Sequence, residues 1–142
     1  MTFGKLIEEL NAKYNTEIED AGGAFALEID GQTVILQLAG GRSGDILLAH
    51  ADLGEVPPDR RDALAAAALE ANFLYQGTGG ATLAVNPRDK HLHLQKYNWL
   101  DRLDAEKTIS DLTRFAETAI AWRKMLESPL ADPTADSHLM QV

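Results

Sequence analysis

The stretch of this sequence most similar to a ligand-binding loop is GTGG, Gly77 to Gly80. Glycine-rich loops bind phosphate when a strand precedes them and a helix follows, because the phosphate then meets free N–H groups at the helix N-terminus. Here the order is reversed, since a helical segment from Leu64 to Gln76 precedes the loop and an apolar strand follows it. Lys90 lies beyond a further turn, too far along the chain to act as the lysine of a phosphate loop. We therefore predict a helix end and a hinge, with Gly77 as the left-handed residue that ends the helix.

Two histidines, His91 and His93, are the best candidates for metal ligands. They stand two apart on a predicted strand, so they share a face and could offer two imidazoles to a metal ion. Zinc sites take three or four protein ligands, and the order of the chain does not bring His50 or a carboxylate to this pair. The alternative is a solvent-facing side of the strand that carries His91, His93 and Gln95, with the intervening leucines inward. We predict no metal site.

No set of residues in the sequence has the spacing of a catalytic centre. Ser43 lies in GGRSGD, which lacks the G-x-S-x-G spacing of a nucleophile elbow and connects two strands where that motif needs a strand and a helix. Acidic neighbours such as Glu8 and Glu9 sit in polar settings that do not raise a carboxyl pKa. There is no cysteine to act as a nucleophile or a metal ligand. We predict that the protein is not an enzyme and uses no cofactor.

The length and net charge of the chain disfavour some classes of binding partner. The chain has 142 residues, enough for one domain, and a formal net charge of -9, which disfavours binding to nucleic acid or to anionic membrane surfaces. No segment approaches the roughly 18 consecutive apolar residues of a membrane span, and the N-terminus lacks the pattern of a signal peptide. These features predict a cytoplasmic protein that is not inserted into a membrane.

The first half of the chain predicts one helix and three strands. Apolar residues recur at helical spacing from Thr2 to Tyr14, with Thr2 as the expected cap. Two alternating runs follow, joined by Asp30-Gly31, a pair suited to a type I′ hairpin because both positions need a positive φ. A third alternating run, DILLAHADLGEV, completes a predicted antiparallel meander.

The second half predicts a helix, two strands and a last helix. Pro57 and Pro58 begin a helix that contains six alanines between Ala63 and Ala71, and this surface of small side chains lets another backbone approach closely. ATLAV and KHLHLQKY read as strands with a turn between them. The last helix runs from about Asp104 to Glu127, with Asp101 or Asp104 as its cap and an apolar stripe that includes Trp122.

The order α-β-β-β-α-β-β-α predicts an α+β domain over residues 1–127, in which helices pack on a twisted antiparallel sheet. Residues 128–142 show no period and contain two prolines, so we expect a disordered tail there. A homodimer is also expected, because the alanine-rich helix is poor in large side chains and lies beside a short edge strand.

Together these segments resemble the class I chaperones of type III secretion, the Tir chaperone (CesT) family. The resemblance spans Phe3 to Leu126 and rests on the order of the elements, the small acidic chain, and the segments FGKLIEELNAKY, FALEIDGQTVILQL and FAETAIAWRKML. Its most specific part is the run from Leu53 to Val85, in which the alanine-rich helix leads into GTGGATLAV.

The resemblance implies a function and a set of partners. Members of that family are homodimers of the bacterial cytoplasm and are not enzymes. Each dimer holds the N-terminal chaperone-binding region of a secreted effector in an extended state until the secretion apparatus takes it. The alternative that we keep is an adaptor or regulatory module on the same fold, which would bind a partner that is already folded.

The resemblance also assigns residues to these roles. The second helix and the strand after the glycines match the family's dimer interface, which implies Leu64, Ala67, Ala68, Ala71, Leu74, Thr82, Leu83 and Val85. The first helix and the meander match the region that presents apolar patches to effectors, which implies Phe3, Ile7, Leu10, Ile35 and Leu47.

Overall fold

The structure is a computed structural model, and it describes residues 2–19, 23–41 and 44–127. The described chain forms three helices and five strands, with short 3-10 turns at 58–60, 73–75 and 100–102. The elements are α1 (Phe3–Tyr14), β1 (Ala24–Ile29), β2 (Gln32–Gly41), β3 (Gly44–Glu55), α2 (Arg61–Asn72), β4 (Thr82–Val85), β5 (His91–Trp99) and α3 (Ala105–Glu127). This order confirms the predicted α+β architecture.

All five strands belong to one antiparallel sheet with the order β1-β2-β3-β5-β4. The hairpin between β1 and β2 turns at Asp30 and Gly31, whose φ values of 52° and 81° confirm the predicted two-residue turn. Strand β5 inserts between β3 and β4, so β4 becomes an edge strand that pairs only with residues Leu92 to Gln95. The sheet therefore has edge strands at β1 and at β4, and β4 does not cover the part of β5 beyond Gln95.

The core lies between one face of the sheet and the helices. Alternate residues of each strand are buried there, as the period of two predicts. The buried strand residues of this face include Leu27, Val34, Leu36, Leu47, Ala49, Leu83, Leu92 and Leu94. Helix α3 covers β2 and β3, and α2 lies against β4. The opposite face of the sheet, which we call the open face, has no helix of the described chain on it.

Both capped helices begin where the sequence predicts. The hydroxyl oxygen of Thr2 accepts a hydrogen bond from the N–H of Lys5 at 3.1 Å, which satisfies one free donor at the start of α1. Asp104 does the same for α3, since its Oδ1 accepts from the N–H of Lys107 at 2.7 Å. The proposed alternative cap, Asp101, lies in the preceding 3-10 turn.

Helix α2 ends earlier than the sequence predicts. The helix stops at Asn72 and not at Gln76, because Leu74 and Tyr75 both adopt the left-handed conformation, with φ of 52° and 58°. The prediction that Gly77 is the left-handed residue is therefore wrong. Gly77 is needed for space: a Cβ there would lie 2.7 Å from the Cβ and 2.9 Å from the Cα of Ala71.

Two hydrogen bonds lock this junction to the core. The N–H of Gly77 donates to the carbonyl of Ala71 at 3.0 Å, and the indole N–H of Trp122 donates to the carbonyl of Gly77 at 3.2 Å. Trp122 is 2% exposed and lies on α3, so the glycine loop is fastened to the longest helix. The predicted tail at 128–142, like Ser43, lies outside the described residues.

Candidate functional site

Four of the six exposed large apolar side chains among the described residues cluster where α2 ends. Four neighbours in the chain, Leu69, Phe73, Leu74 and Tyr75, are between 56% and 72% exposed, and we call them the α2 patch. A single exposed leucine is ordinary, but a run of bulky apolar side chains on one element is typical of a surface that binds another protein. The α2 patch is thus a candidate protein-binding surface.

Local backbone geometry holds the α2 patch outward. Leu74 and Tyr75 are not glycines, so the left-handed conformation costs about 1–2 kcal/mol for each of them, because the Cβ crowds the backbone. The side chain of Asn72 offsets this cost by bonding the edge strand, since its amide donates to the carbonyl of Leu83 at 3.0 Å and its carbonyl accepts from the N–H of Leu83 at 2.8 Å. Two side-chain hydrogen bonds therefore join the end of α2 to β4.

A shallow groove of about 200 Å³ runs beside the α2 patch, between α2 and the edge strand. Its lining is mostly apolar and includes Leu64, Ala65, Ala68, Val85 and Leu92. Val85 is 50% exposed although it points to the same side of the sheet as the buried Leu83. The short edge strand and the small side chains of α2 leave this side of the sheet incompletely covered.

The structure divides the residues predicted for a dimer interface into two groups. Leu64, Ala67, Ala68 and Leu83 are buried against the chain's own core. Exposed or half-buried members are Ala71, Leu74, Thr82 and Val85. Their role in dimerisation stays a prediction, but only the second group has side chains available for contact in the single chain.

Three members of the α2 patch were missed by the sequence reasoning. Leu69 and Phe73 stand four apart, on a side of α2 different from that of Leu64, Ala67 and Ala68. The presence of large apolar residues on a second side of this alanine-rich helix could have indicated that Leu69 and Phe73 are exposed. Tyr75 gave no such signal, because its exposure depends on the left-handed turn.

The residues predicted for effector binding are placed mainly in the core. Phe3, Ile7, Leu10 and Leu47 are between 0% and 6% exposed, so their side chains stabilise the single chain. Ile35 is half-buried on the open face, where it lies opposite His50 of β3. Their contact with an effector stays a prediction, and Ile35 alone among them offers much side-chain surface.

The open face carries further apolar residues on β3 and β5. Leu48 pairs with Tyr97 and Ile46 pairs with Trp99 across the two strands. Leu48, Ile46 and Trp99 are half-buried, and Tyr97 is 62% exposed. Cross-strand apolar pairs of this kind stabilise a sheet, and on an uncovered face they also offer a surface to a partner chain.

The predicted histidine pair is split between two environments of the open face. His91 Nδ1 lies 2.9 Å from both carboxylate oxygens of Asp52 and 4.0 Å from an oxygen of Asp89. One ligand atom from each of these three residues lies within 4.8 Å of the others, at the protein surface. His93 lies instead near His50, whose pKa is lowered by burial and by the charge of His93.

Hydrogen bonding sets the charge state of the His91–Asp52 pair. The bond to Asp52 raises the pKa of His91 above its ordinary value, burial opposes the rise, and nearby carboxylates reinforce it. Burial by itself would raise the pKa of Asp52. The hydrogen bonds that its carboxylate accepts from the N–H of Gly54 and from His91 outweigh burial, so the pKa is lowered. The protonated imidazole and the ionised carboxylate therefore stabilise each other.

This pair predicts a pH dependence of stability. Because the pKa of His91 is raised by folding, its contribution is complete below the unfolded value of about 6.5 and is lost as pH rises through the folded value. We expect the difference in unfolding free energy between wild type and His91→Gln to be larger at about pH 5.5 than at about pH 8.5. Urea denaturation at both pH values measures it. Asp52→Asn serves as the matched variant and should reduce the dependence, because only Asp89 and Glu55 would then remain to raise the pKa of His91. Equal differences at both pH values for His91→Gln would contradict the coupling.

Several solved structures share the fold. A chain of the HopA1–SchA chaperone–effector complex matches with 18% identity and a TM-score of 0.64, covering 86% of this chain and 93% of that chain. A chain of the ExsC–ExsE complex matches with 19% identity and a TM-score of 0.67, covering 86% of this chain and 91% of that chain. A chain of the heterodimeric ExoU–SpcU complex, from the type III secretion system of Pseudomonas aeruginosa, matches with 16% identity and a TM-score of 0.69. The match covers 89% of this chain and 98% of that chain. No curated protein sequence matches the chain.

These neighbours share the α+β fold of this chain. The model of the Tir chaperone protein (CesT) family matches residues 5–123, most of the chain, and the chain belongs to that family. This membership confirms the resemblance predicted from the sequence, to a chaperone of type III secretion. The family is one of chaperones, a non-enzymatic kind of protein. Among the described residues, no helix is both long and apolar enough to cross a membrane.

Proposed function

We propose that this chain acts in the cytoplasm as a homodimeric, non-enzymatic chaperone that holds the N-terminal region of a type III secreted effector in an extended form. Membership of a chaperone family supports effector holding, and the α2 patch, with its four exposed bulky apolar side chains, is the observation that carries the dimer. Two structural neighbours of the same fold are chains of a chaperone–effector complex and of a complex from a type III secretion system.

The dimer that we propose forms through α2 and β4. Leu74 and Val85 on one copy, with Leu69 and Phe73, would meet the same residues of a second copy around a two-fold axis. The groove of about 200 Å³ beside Ala65 and Ala68 offers room for side chains of the second copy. Burial of apolar surface contributes about 25 cal/mol for each Å² removed from water, and the entropy lost on association offsets part of this gain.

Effector binding is proposed for the remaining apolar surface of the meander. Ile35 is the predicted residue with available side-chain surface, whereas Phe3, Ile7, Leu10 and Leu47 support that region from beneath. An extended partner can add main-chain hydrogen bonds at a sheet edge while its apolar side chains enter shallow pockets. Ordering such a segment costs free energy, so a large contact surface is required, and a dimer doubles the surface that is offered.

The net charge of -9 fits this role, because a protein that exposes apolar surface stays soluble when its copies repel one another. The glycine loop follows a helix where a phosphate loop would precede one. The proposal therefore needs neither a cofactor nor a reaction.

Co-purification tests this function directly. The chain is co-expressed with the tagged N-terminal region of a candidate type III secreted effector, and with the same effector lacking that region as the control. We expect a complex only in the first case, and limited proteolysis should leave the bound segment protected although it digests the free segment rapidly. A complex only with the protein that lacks its N-terminal region would contradict the chaperone function and favour an adaptor that binds a folded partner.

A further inference from the structure

Half of strand β5 has an open edge. Strand β3 pairs with β5 along its whole length, from His91 to Trp99, but β4 pairs only as far as Gln95. Beyond that point Gly79 and Gly80, with φ of 61° and 92°, turn the chain away from the sheet. Residues 96–99 of β5 are therefore paired on one side only within the described chain.

The free main-chain groups on this edge belong to Tyr97 and Trp99. The carbonyl of His91 accepts from the N–H of Asn86, next to β4, and the groups of alternate residues point the same way in an antiparallel ladder. Tyr97 and Trp99 thus direct their N–H and C=O groups to the side that β4 does not reach. No backbone or side-chain hydrogen bond from another described residue reaches these groups there. Such an edge is a template for one more strand.

A wide groove of about 730 Å³ surrounds this edge, between the glycine loop and the first turns of α3. Its charged lining consists of three basic side chains, Lys96, Arg102 and Lys107, and one acidic side chain, Asp111. No ion pair within 4.0 Å engages any of the three cations in the described part of the chain. A local excess of positive charge in a protein of net charge -9 favours an acidic ligand.

The two faces of an added strand would meet different chemistry. Lys96 follows the buried Leu92 and Leu94 in the period of two, so it points to the side of the helices, where Lys107 of α3 also lines the groove. Tyr97 and Trp99 point to the open face beside Leu48, which lines the same groove. An extended segment would thus place alternate side chains against cations and against apolar surface.

We propose that this edge, with its groove, binds an extended segment of a client protein in which acidic and apolar residues alternate. The segment pairs with Tyr97 and Trp99 through its main chain, its carboxylates face Lys96, Arg102 and Lys107, and its apolar side chains cover Tyr97 and Trp99. The inference rests on the proposed chaperone function for the identity of the client, but the surface itself is defined by the single chain.

The test uses a short fluorescein-labelled peptide of alternating aspartate and valine, with fluorescence anisotropy as the measurement. A peptide with lysine in place of aspartate tests charge, and an aspartate peptide N-methylated along one edge tests main-chain pairing. We expect the aspartate peptide to bind at least about tenfold more tightly than either of the other two. Equal affinity for all three peptides would overturn the proposal.

Charge-reversed variants test whether the labelled peptide binds in the groove. Lys107→Glu changes an exposed side chain and should weaken binding of the aspartate peptide by about tenfold, and Lys96→Glu/Lys107→Glu should reverse the preference toward the lysine peptide. Lys13→Glu/Lys124→Glu makes the same change of charge at exposed positions outside the groove and should leave the preference intact. Equal losses in the two double variants would show binding to net charge alone and would overturn the site.

The outcome separates this inference from the proposed function. A wild-type protein that captures an effector region but does not prefer the aspartate peptide would overturn the groove and leave the chaperone function standing. A protein that binds the peptide through Lys96 and Lys107 but captures no effector region would support the groove and contradict the chaperone function.

Discussion

A Gly77→Val variant is expected to lose about 3 kcal/mol of unfolding free energy, which corresponds to a melting temperature lower by roughly 10 °C. The reason is space, because a Cβ at this position would lie 2.7 Å from the Cβ of Ala71 and 2.9 Å from its Cα. The glycine cannot move away, since its N–H is bonded to Ala71 and its carbonyl to Trp122 in the core. Any shift that relieves the contact therefore weakens one of these bonds or the packing of α2 on the sheet.

Two further variants identify the cause. Gly77→Ala meets the same contact and should also destabilise the protein, because the first added carbon is the one that collides. Gly4→Ala is the matched control: it lies in the first helix with no atom within 4 Å of the added carbon, and it should keep or raise stability, since alanine favours a helix more than glycine does. Thermal unfolding followed by circular dichroism measures all three. If Gly77→Ala were as stable as the wild type, the close contact with Ala71 would not exist in solution.

In a Leu69→Glu/Phe73→Glu variant, the dissociation constant of the proposed dimer is expected to rise at least about 100-fold, while the single chain stays folded. The two side chains are 72% and 67% exposed, so their replacement leaves the core of the chain untouched. In a dimer they would sit at the centre of the contact, where truncation of a large apolar residue costs about 2 kcal/mol or more and buried like charges add to the loss. Sedimentation velocity over a range of concentrations measures the effect.

Ala63→Glu is the control for this prediction. It introduces one of the same charges at an exposed position of α2, one helical heptad before the exposed Glu70, and thus on a polar side of the helix. We expect this variant to remain dimeric and to melt close to the wild type. A wild-type chain that is monomeric at every concentration tested would contradict the proposed dimer outright.

The sequence predicted those parts of the fold that depend on local patterns. The period of two in β1, β2 and β3, the Asp30-Gly31 turn, and the caps at Thr2 and Asp104 all follow from neighbours in the chain. The end of α2 did not, because nothing local favours the left-handed conformation of Leu74 and Tyr75 over a continued helix. Tertiary bonds, from Asn72 to β4 and from Trp122 to Gly77, fix that turn.

The binding surfaces were harder to predict for a related reason. An apolar stripe that faces the core and one that faces a partner have the same helical period, so Ile7 and Leu10 could not be separated from an exposed stripe by spacing. Their burial depends on tertiary packing, in which α3 lies against α1. The open half of β5 was hidden as well, because the position at which β4 stops pairing depends on the turn at Gly79 and Gly80.

The most direct test of the proposed function is a measurement on the purified complex with the N-terminal region of the effector. Light scattering gives its mass, and NMR spectra of the isotopically labelled effector region give the state of that region. The proposed function predicts two copies of this chain for each effector region, with signals that show binding and an extended backbone without a fold of its own. A single copy bound to an effector region that already has the dispersed signals of a folded domain would contradict it.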